Sequence, residues 1–203
     1  MKNKEVLSLL INPFVRIAGG KALLIGIVVF VVSILLAYCG NMVFDGVVDA
    51  HFNDNVNLGR ALLVPSIALV IFIVTLYLTG RLLSKSSIRF IDVAGTVTLA
   101  RTPFILISLA VLIPCVYDYN VIITQNLLAQ SYSEITVLQW VVFFSFLAVS
   151  MIAAIWFVIL AYKAFSVSCN ISGAKGIMGF VAALLFSEIV AAIAIYQLSK
   201  CIF

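Results

Sequence analysis

The chain has 203 residues, of which 65% are hydrophobic and 10% are charged, and its mean hydropathy is +1.26. Soluble domains have roughly 45–50% apolar and about 25% charged residues, so this composition excludes an ordinary soluble globular protein and predicts a surface that faces lipid. The formal net charge is +4, but no basic run is interleaved with aromatic side chains, and no nucleic-acid partner is expected.

Five apolar stretches are each about as long as a bilayer span or slightly shorter. Lipid offers no hydrogen bonds to the backbone, so each stretch is predicted to be an α-helix rather than a strand. The predicted fold class is an all-α membrane protein, with residues 1–203 forming a single domain that is a bundle of five transmembrane helices. The predicted spans cover residues 21–44, 61–83, 103–123, 137–162 and 176–198.

Two further segments are neither plain loop nor plain span. Residues 6–18 are too short to cross a bilayer and too apolar to be solvated, so they are predicted to lie on the inner membrane surface. Residues 86–100 alternate apolar and polar side chains at roughly helical spacing, which predicts a second interfacial helix. Thr102 and Pro103 are typical of an N-cap and a first helical residue, so the third span is expected to start after a break.

The basic residues predict the orientation of the bundle. With a cytoplasmic N-terminus, all of the 12 lysines and arginines except Arg60 and Lys200 lie on the cytoplasmic side, as the positive-inside rule requires. Five spans then place the C-terminus outside.

Glu188 is the residue that most strongly suggests chemistry. It lies about twelve residues into the fifth predicted span, close to the middle of the bilayer at about 1.5 Å per residue. A carboxylate there is costly and usually points into a bundle or a cavity. One interpretation is a proton-accepting or cation-binding group in a transport path. The other is a hydrogen-bonded carboxyl that holds the fifth helix to its neighbours.

Small residues recur at every fourth position beside Glu188, which predicts a helix-packing ridge. The sequence does not decide whether this ridge packs within the chain or against a second copy. The ridge consists of Gly179, Ala183, Ser187 and Ala191.

Asp92 and Arg101 are candidate interfacial charges in the segment before the third span. They are expected to pair with each other or with lipid phosphate. Arg101 is interpreted mainly as a topology anchor and, as an alternative, as a ligand contact.

Residues that suggest a disulfide or a metal site have simpler interpretations. Cys39 and Cys115 are predicted near the same outer face, where they either pair or serve as small packing residues. His51 lies among the acidic residues of the first outer loop, but its spacing matches no ligand motif and favours a solvated loop. No metal site and no cofactor are predicted.

Motifs of enzymes are missing from the sequence: it contains no HExxH, no GxSxG and no P-loop. The chain is therefore not expected to be an enzyme.

Several short motifs together resemble the Yip1 family, specifically its bacterial members. The resemblance covers nearly the whole chain. Arg101 departs from the family pattern, in which a small or neutral residue is expected. The motifs are Asn12-Pro13-Phe14, Thr98-Leu99-Ala100-Arg101-Thr102-Pro103, Tyr162-Lys163-Ala164-Phe165-Ser166-Val167 and Ser172-Gly173-Ala174-Lys175-Gly176.

The resemblance implies a non-enzymatic multipass protein of a bacterial inner membrane. Such a protein would act as a scaffold, an assembly factor or an influence on bilayer organisation, with membrane lipids and either a protein partner or a second copy as its partners. The alternative is a small transporter or channel that uses Glu188 as an intramembrane proton- or cation-binding group.

Overall fold

Helices dominate a computed structural model of the chain, which describes residues 9–53, 57–131 and 135–202 and is 79% helical. The described residues contain seven α-helices and one short β-hairpin. The β-hairpin was not predicted from the sequence. The helices are α1 (Gly19–Cys39), α2 (Leu58–Leu83), α3 (Phe90–Ala100), α4 (Phe104–Ala110), α5 (Pro114–Leu128), α6 (Val137–Cys169) and α7 (Gly173–Ile202). The strands are β1 (Met42–Val43) and β2 (His51–Phe52), which pair antiparallel.

Five helical segments are long and apolar enough to cross a membrane, as expected of an integral multipass membrane protein. The first, second, fourth and fifth segments agree with the predicted spans to within a few residues at most ends. The fourth segment is longer than predicted, because it extends to Cys169. The third candidate span runs over Phe90–Ala110 and comprises α3 and α4.

The third predicted span, residues 103–123, is corrected by the structure. Its helix breaks after Ala110, and α5 starts separately at Pro114, a residue that favours the first turn of a helix because it has no N–H to donate. The segment 86–100 also differs from a helix lying on a membrane surface. Every residue of α3 from Val93 to Ala100 is buried, so α3 is a core helix.

Glycines allow α1 and α3 to pack with their backbones nearly in contact. A Cβ atom at Gly26 of α1 would lie 2.7 Å from the backbone nitrogen of Leu99, and one at Gly95 of α3 would overlap the carbonyl of Gly19. The two contacts occur in the same order along both helices, so α1 and α3 run parallel. Along with α6, these helices form the centre of the bundle.

The other predicted interfacial segment, residues 6–18, is only partly described, since residues 6–8 lie outside the described residues. Pro13–Val15 forms a 3-10 turn with Phe14 buried, and this turn packs against α6. The indole nitrogen of Trp156 donates a hydrogen bond to the carbonyl of Leu10 at 3.0 Å. This part of the chain is therefore attached to the bundle.

The connection between β1 and β2 folds back into the bundle; we call residues 44–50 the inward loop. Phe44 is 3% exposed and Val47 is fully buried. The ring of Phe44 stacks on that of Phe104 at the start of α4, with 5.5 Å between the ring centroids. The loop thus contributes to the core instead of covering it from outside.

Helices α5 and α6 form a hairpin that extends beyond the core of the bundle; we call residues 114–152 the α5–α6 hairpin. Helix α6 has 33 residues, about 50 Å at 1.5 Å per residue, whereas a bilayer core is about 30 Å thick. Its buried residues begin only at Ala153, and its first half packs against α5. At the tip, the apolar side chains of Leu128 and Val137 are 81% and 79% exposed.

Candidate functional site

Arg101 lies at the turn between α3 and α4, enclosed by the bundle. Its side chain is 2% exposed. The guanidinium carbon lies 4.8 Å from the ring centroid of Phe104, 5.5 Å from that of Phe30 and 5.8 Å from that of Phe157. Phe30 is roughly 16 Å along α1 from its first residue, near the middle of that helix. The structure therefore places a cation in the interior, far from the ends of the surrounding helices.

This cation has no hydrogen-bond acceptor. All three guanidinium nitrogens of Arg101 are buried without a partner in the described part of the chain. Burying a charge is costly unless it is paired, and the faces of the three aromatic rings offset only part of that cost. Arg101 is therefore enclosed by the bundle and lies inside the candidate span Phe90–Ala110, whereas it was predicted just before the start of a span. Its role as a topology anchor or as a ligand contact stays a prediction.

Glu188 lies near the middle of α7 and is held by the inward loop. Its Oε2 accepts a hydrogen bond from the backbone N–H of Val47 at 2.7 Å, and its Oε1 accepts one from the N–H of Val48 at 3.1 Å. Gly46 lies directly against the carboxylate, since a Cβ atom added at Gly46 would lie 3.1 Å from Oε1. A carboxylate that accepts two adjacent amide donors latches α7 to the loop between β1 and β2.

Arg101, which is buried, and Glu188, which is half-buried, are charges of opposite sign within the bundle. Their hydrogen bonding is nevertheless asymmetric, because Glu188 binds backbone amides and Arg101 contacts rings. The inward loop connects the two residues: Phe44 stacks against the Phe104 ring, and Val47 and Val48 hold Glu188.

Asp92 does not pair with Arg101, contrary to one of the two predictions for it. Its carboxylate instead binds the guanidinium of Arg89, with 2.8 Å between Nε and Oδ2 and 3.2 Å between the terminal nitrogen and Oδ1. Asp92 and Arg101 lie at opposite ends of α3, roughly 13 Å apart along the axis. The partner of Asp92 is thus the exposed Arg89 side chain, a pairing that was not predicted from the sequence.

The ridge of small residues on α7 lies against α2 of the same chain. Ala183, Ser187 and Ala191 are buried, and a Cβ atom at Gly179 would overlap the side chain of Leu83. The hydroxyl of Ser187 donates to the carbonyl of Leu184 at 2.8 Å, which satisfies it within its own helix. The ridge therefore serves packing within the chain.

Three polar residues in and beside the inward loop come together although the sequence favoured a plain solvated loop. Ligand atoms of Asp45, Asp49 and His51 all lie within 4.8 Å of one another, a set that could hold a divalent cation. Nδ1 of His51 lies 2.8 Å from Oδ2 of Asp45. This hydrogen bond, reinforced by the charges of Asp45 and Asp49, raises the pKa of His51 above 6.5 against the opposing effect of its partial burial. Asp54 lies outside the described residues.

The cysteines that could have formed a disulfide are free in the structure. Cys39 at the end of α1 is exposed and Cys115 in α5 is half-buried. The structure therefore favours the simpler of the two interpretations, in which they are small packing residues.

The inward loop and the aromatic surroundings of Arg101 were not predicted from the sequence. One signal was available: Arg101 has apolar residues on both sides, so that residues 90–110 qualify as one span interrupted by a single cation. The close packing of α1 and α3 also had a signal in the sequence, since each helix contains a glycine, Gly26 in α1 and Gly95 in α3. The glycines alone do not indicate which helices pair.

Comparison with known proteins yields no relative. No protein-family model matches the chain, and no curated protein or solved structure matches it at a significant level. The resemblance to the Yip1 family therefore stays a prediction based on the motifs alone.

Proposed function

We propose that this chain is a non-enzymatic, Yip1-like membrane protein that acts by interaction, as a scaffold, an assembly factor or a factor in membrane organisation. We further propose that it lies in a bacterial inner membrane with its N-terminus in the cytoplasm and its C-terminus outside. Its partners are membrane lipids and either another protein or a second copy of the chain.

The observation that carries this proposal is the α5–α6 hairpin. Apolar side chains at its tip, Leu128 and Val137, are exposed on a part of the chain that exceeds the length of a bilayer span. Exposed apolar patches at the end of a projecting element are typical of protein or membrane contact sites. In the proposed orientation the tip lies on the outer side of the membrane, where it is available to such a contact.

Photo-crosslinking at defined positions in living cells tests this proposal. A photoreactive amino acid at Val137 is expected to give a discrete, reproducible protein adduct. The same residue at Leu24, which is 67% exposed in the first half of α1, provides the matched control and is expected to give no discrete protein adduct. Equal adducts at both positions, or none at Val137, would contradict a partner-binding hairpin.

The alternative proposal is a small transporter or channel that uses Glu188. One observation favours it: the bundle contains two charges of opposite sign, the buried Arg101 and the half-buried Glu188. Charged groups inside a membrane bundle often mark an ion or substrate path. Ion flux into proteoliposomes, present with the wild-type protein and lost in Glu188→Gln, would support transport, whereas the scaffold proposal predicts no flux with either protein.

A further inference from the structure

The Arg101 guanidinium is a permanent cation with five N–H donors and no acceptor of its own. The Arg101 side chain is 2% exposed, and none of its guanidinium nitrogens has a hydrogen-bond partner among the described residues. Aromatic faces attract a cation but do not replace an anion in the plane of the guanidinium, where its N–H donors point.

Glu188 does not supply that anion by contact. Both of its carboxylate oxygens are occupied by the backbone N–H groups of Val47 and Val48, at 2.7 and 3.1 Å. The carboxylate thus offsets part of the charge of Arg101 from a distance and leaves the guanidinium donors free.

A narrow space adjoins the guanidinium. Its walls include one further polar group, the hydroxyl of Ser33 on α1, which donates to the carbonyl of Val29 at 2.8 Å and can rotate toward the space. The space is too narrow for a water molecule in this conformation. Its other walls are the side chains of Phe30, Ile34, Phe44 and Phe104.

We propose that Arg101 and Ser33 form a binding site for a small monovalent anion of the halide class, closed in this structure by Phe44. A single negative charge balances the single positive charge of Arg101. Halides are among the smallest anions, which suits a space that must widen before it admits even a water molecule. Phe44 is the wall contributed by the inward loop, which the Glu188 latch holds in place. Movement of this loop away from the bundle opens the site, so the anion enters from the side of that loop.

Thermal unfolding of the purified full-length protein in detergent tests the site, independently of the proposed function. Sodium chloride is titrated against sodium gluconate at constant total sodium, because gluconate is too large for the space. A ligand that binds the folded state alone raises the unfolding midpoint. We expect a saturable rise with chloride in the wild type and in Arg81→Gln, which removes an exposed cation of α2 outside the site.

Two variants locate the effect. Arg101→Lys keeps the charge but loses the planar set of donors, and is expected to lose the saturable response. Ser33→Ala removes one hydroxyl whose hydrogen bond lies within its own helix, so it is expected to fold and to need a several-fold higher chloride concentration for half of the rise.

The proposal is overturned if the wild type shows no saturable difference between chloride and gluconate. It is equally overturned if Ser33→Ala keeps the wild-type chloride dependence, whether or not Arg101→Lys folds. In either case the rings and the distant Glu188 carboxylate are sufficient to hold Arg101.

Discussion

Two charges, the buried Arg101 and the half-buried Glu188, set the chemistry of this molecule at the scale of single residues. Glu188 obtains two backbone donors from a loop that is distant in sequence, and its carboxylate thereby makes a tertiary contact. Arg101 obtains aromatic faces instead. Sequence reasoning identified Glu188 as informative because a carboxylate in an apolar stretch is unusual, but its partners are backbone amides, which no side-chain pattern reveals.

Replacing Glu188 by glutamine is expected to destabilise the fold by about 1–3 kcal/mol. The glutamine oxygen can accept from one of the amides of Val47 and Val48, while its NH2 group faces the other donor. Thermal unfolding in detergent measures the loss, and faster hydrogen exchange at Val47 and Val48 locates it. Asp118→Asn, which removes an exposed carboxylate of α5, is the control and should leave the midpoint unchanged. An unchanged midpoint in Glu188→Gln would show that the latch does not stabilise the fold.

His51 is expected to make stability depend on pH. Its pKa is raised above 6.5 in the folded state, chiefly by the hydrogen bond with Asp45. The protonated form is therefore favoured by folding, so its contribution is fully present below pH 6.5 and disappears as the pH rises through the folded pKa. Unfolding midpoints of wild type and His51→Gln should differ most at low pH and converge at higher pH. A difference that grows with rising pH would contradict this pairing.

At the scale of elements, the third span shows what a sequence can and cannot predict. The predicted break near Thr102 and Pro103 exists, but Thr102 is not the predicted N-cap: α4 begins at Phe104 after Pro103, and no side chain caps it. The prediction failed for α3, where the alternation of apolar and polar side chains suggested an interfacial helix. The hydroxyls of its threonines donate to carbonyls of their own helix, from Thr96 to Asp92 at 2.8 Å and from Thr98 to Ala94 at 2.7 Å. Because these hydroxyls make their hydrogen bonds within the helix, the threonines can be buried. An alternation of apolar and polar side chains therefore does not distinguish a core helix from a surface helix.

Adding one methyl group at the contact of α1 and α3 is expected to disrupt it. Gly26→Ala places a Cβ atom 2.7 Å from the backbone of Leu99, which cannot move as a side chain can, and should cost about 1–3 kcal/mol. Gly20→Ala in the same helix is the matched control, because its Cβ atom would meet nothing within 4 Å. The first variant should lower the unfolding midpoint and the second should not. Equal midpoints would contradict the close packing of these helices.

The packing of α7 on α2 can also be tested by enlarging a buried side chain. Ala191→Leu enlarges a fully buried side chain of the ridge that packs on α2, so it should destabilise the fold by about 1–3 kcal/mol. Val181→Leu adds volume to the same helix at a position that is 45% exposed and should be neutral. If the ridge instead faced lipid, both variants would leave the unfolding midpoint unchanged.

The whole molecule combines a five-span bundle with a loop that folds into it and a hairpin that extends from it. Composition and hydropathy were sufficient to predict the bundle, because apolar length is a direct physical requirement for crossing a bilayer. The inward loop could not be predicted, since Phe44 and Val47 are buried by contacts with helices far away in sequence. Nor could the hairpin, because the projecting part of α6 lies inside the predicted span 137–162 and is as apolar as the rest of that span.

The arrangement of the chain across the membrane is the claim on which the proposals depend, and cysteine labelling measures it directly. In a background with the natural cysteines replaced, single cysteines are introduced at Ser86, between α2 and α3, and at Val137, at the tip of the α5–α6 hairpin. An impermeant thiol reagent added to intact cells should label Val137→Cys, and should label Ser86→Cys only after the membrane is permeabilised. Labelling of Ser86→Cys in intact cells, with Val137→Cys protected, would contradict the proposed orientation and the outer position of the hairpin.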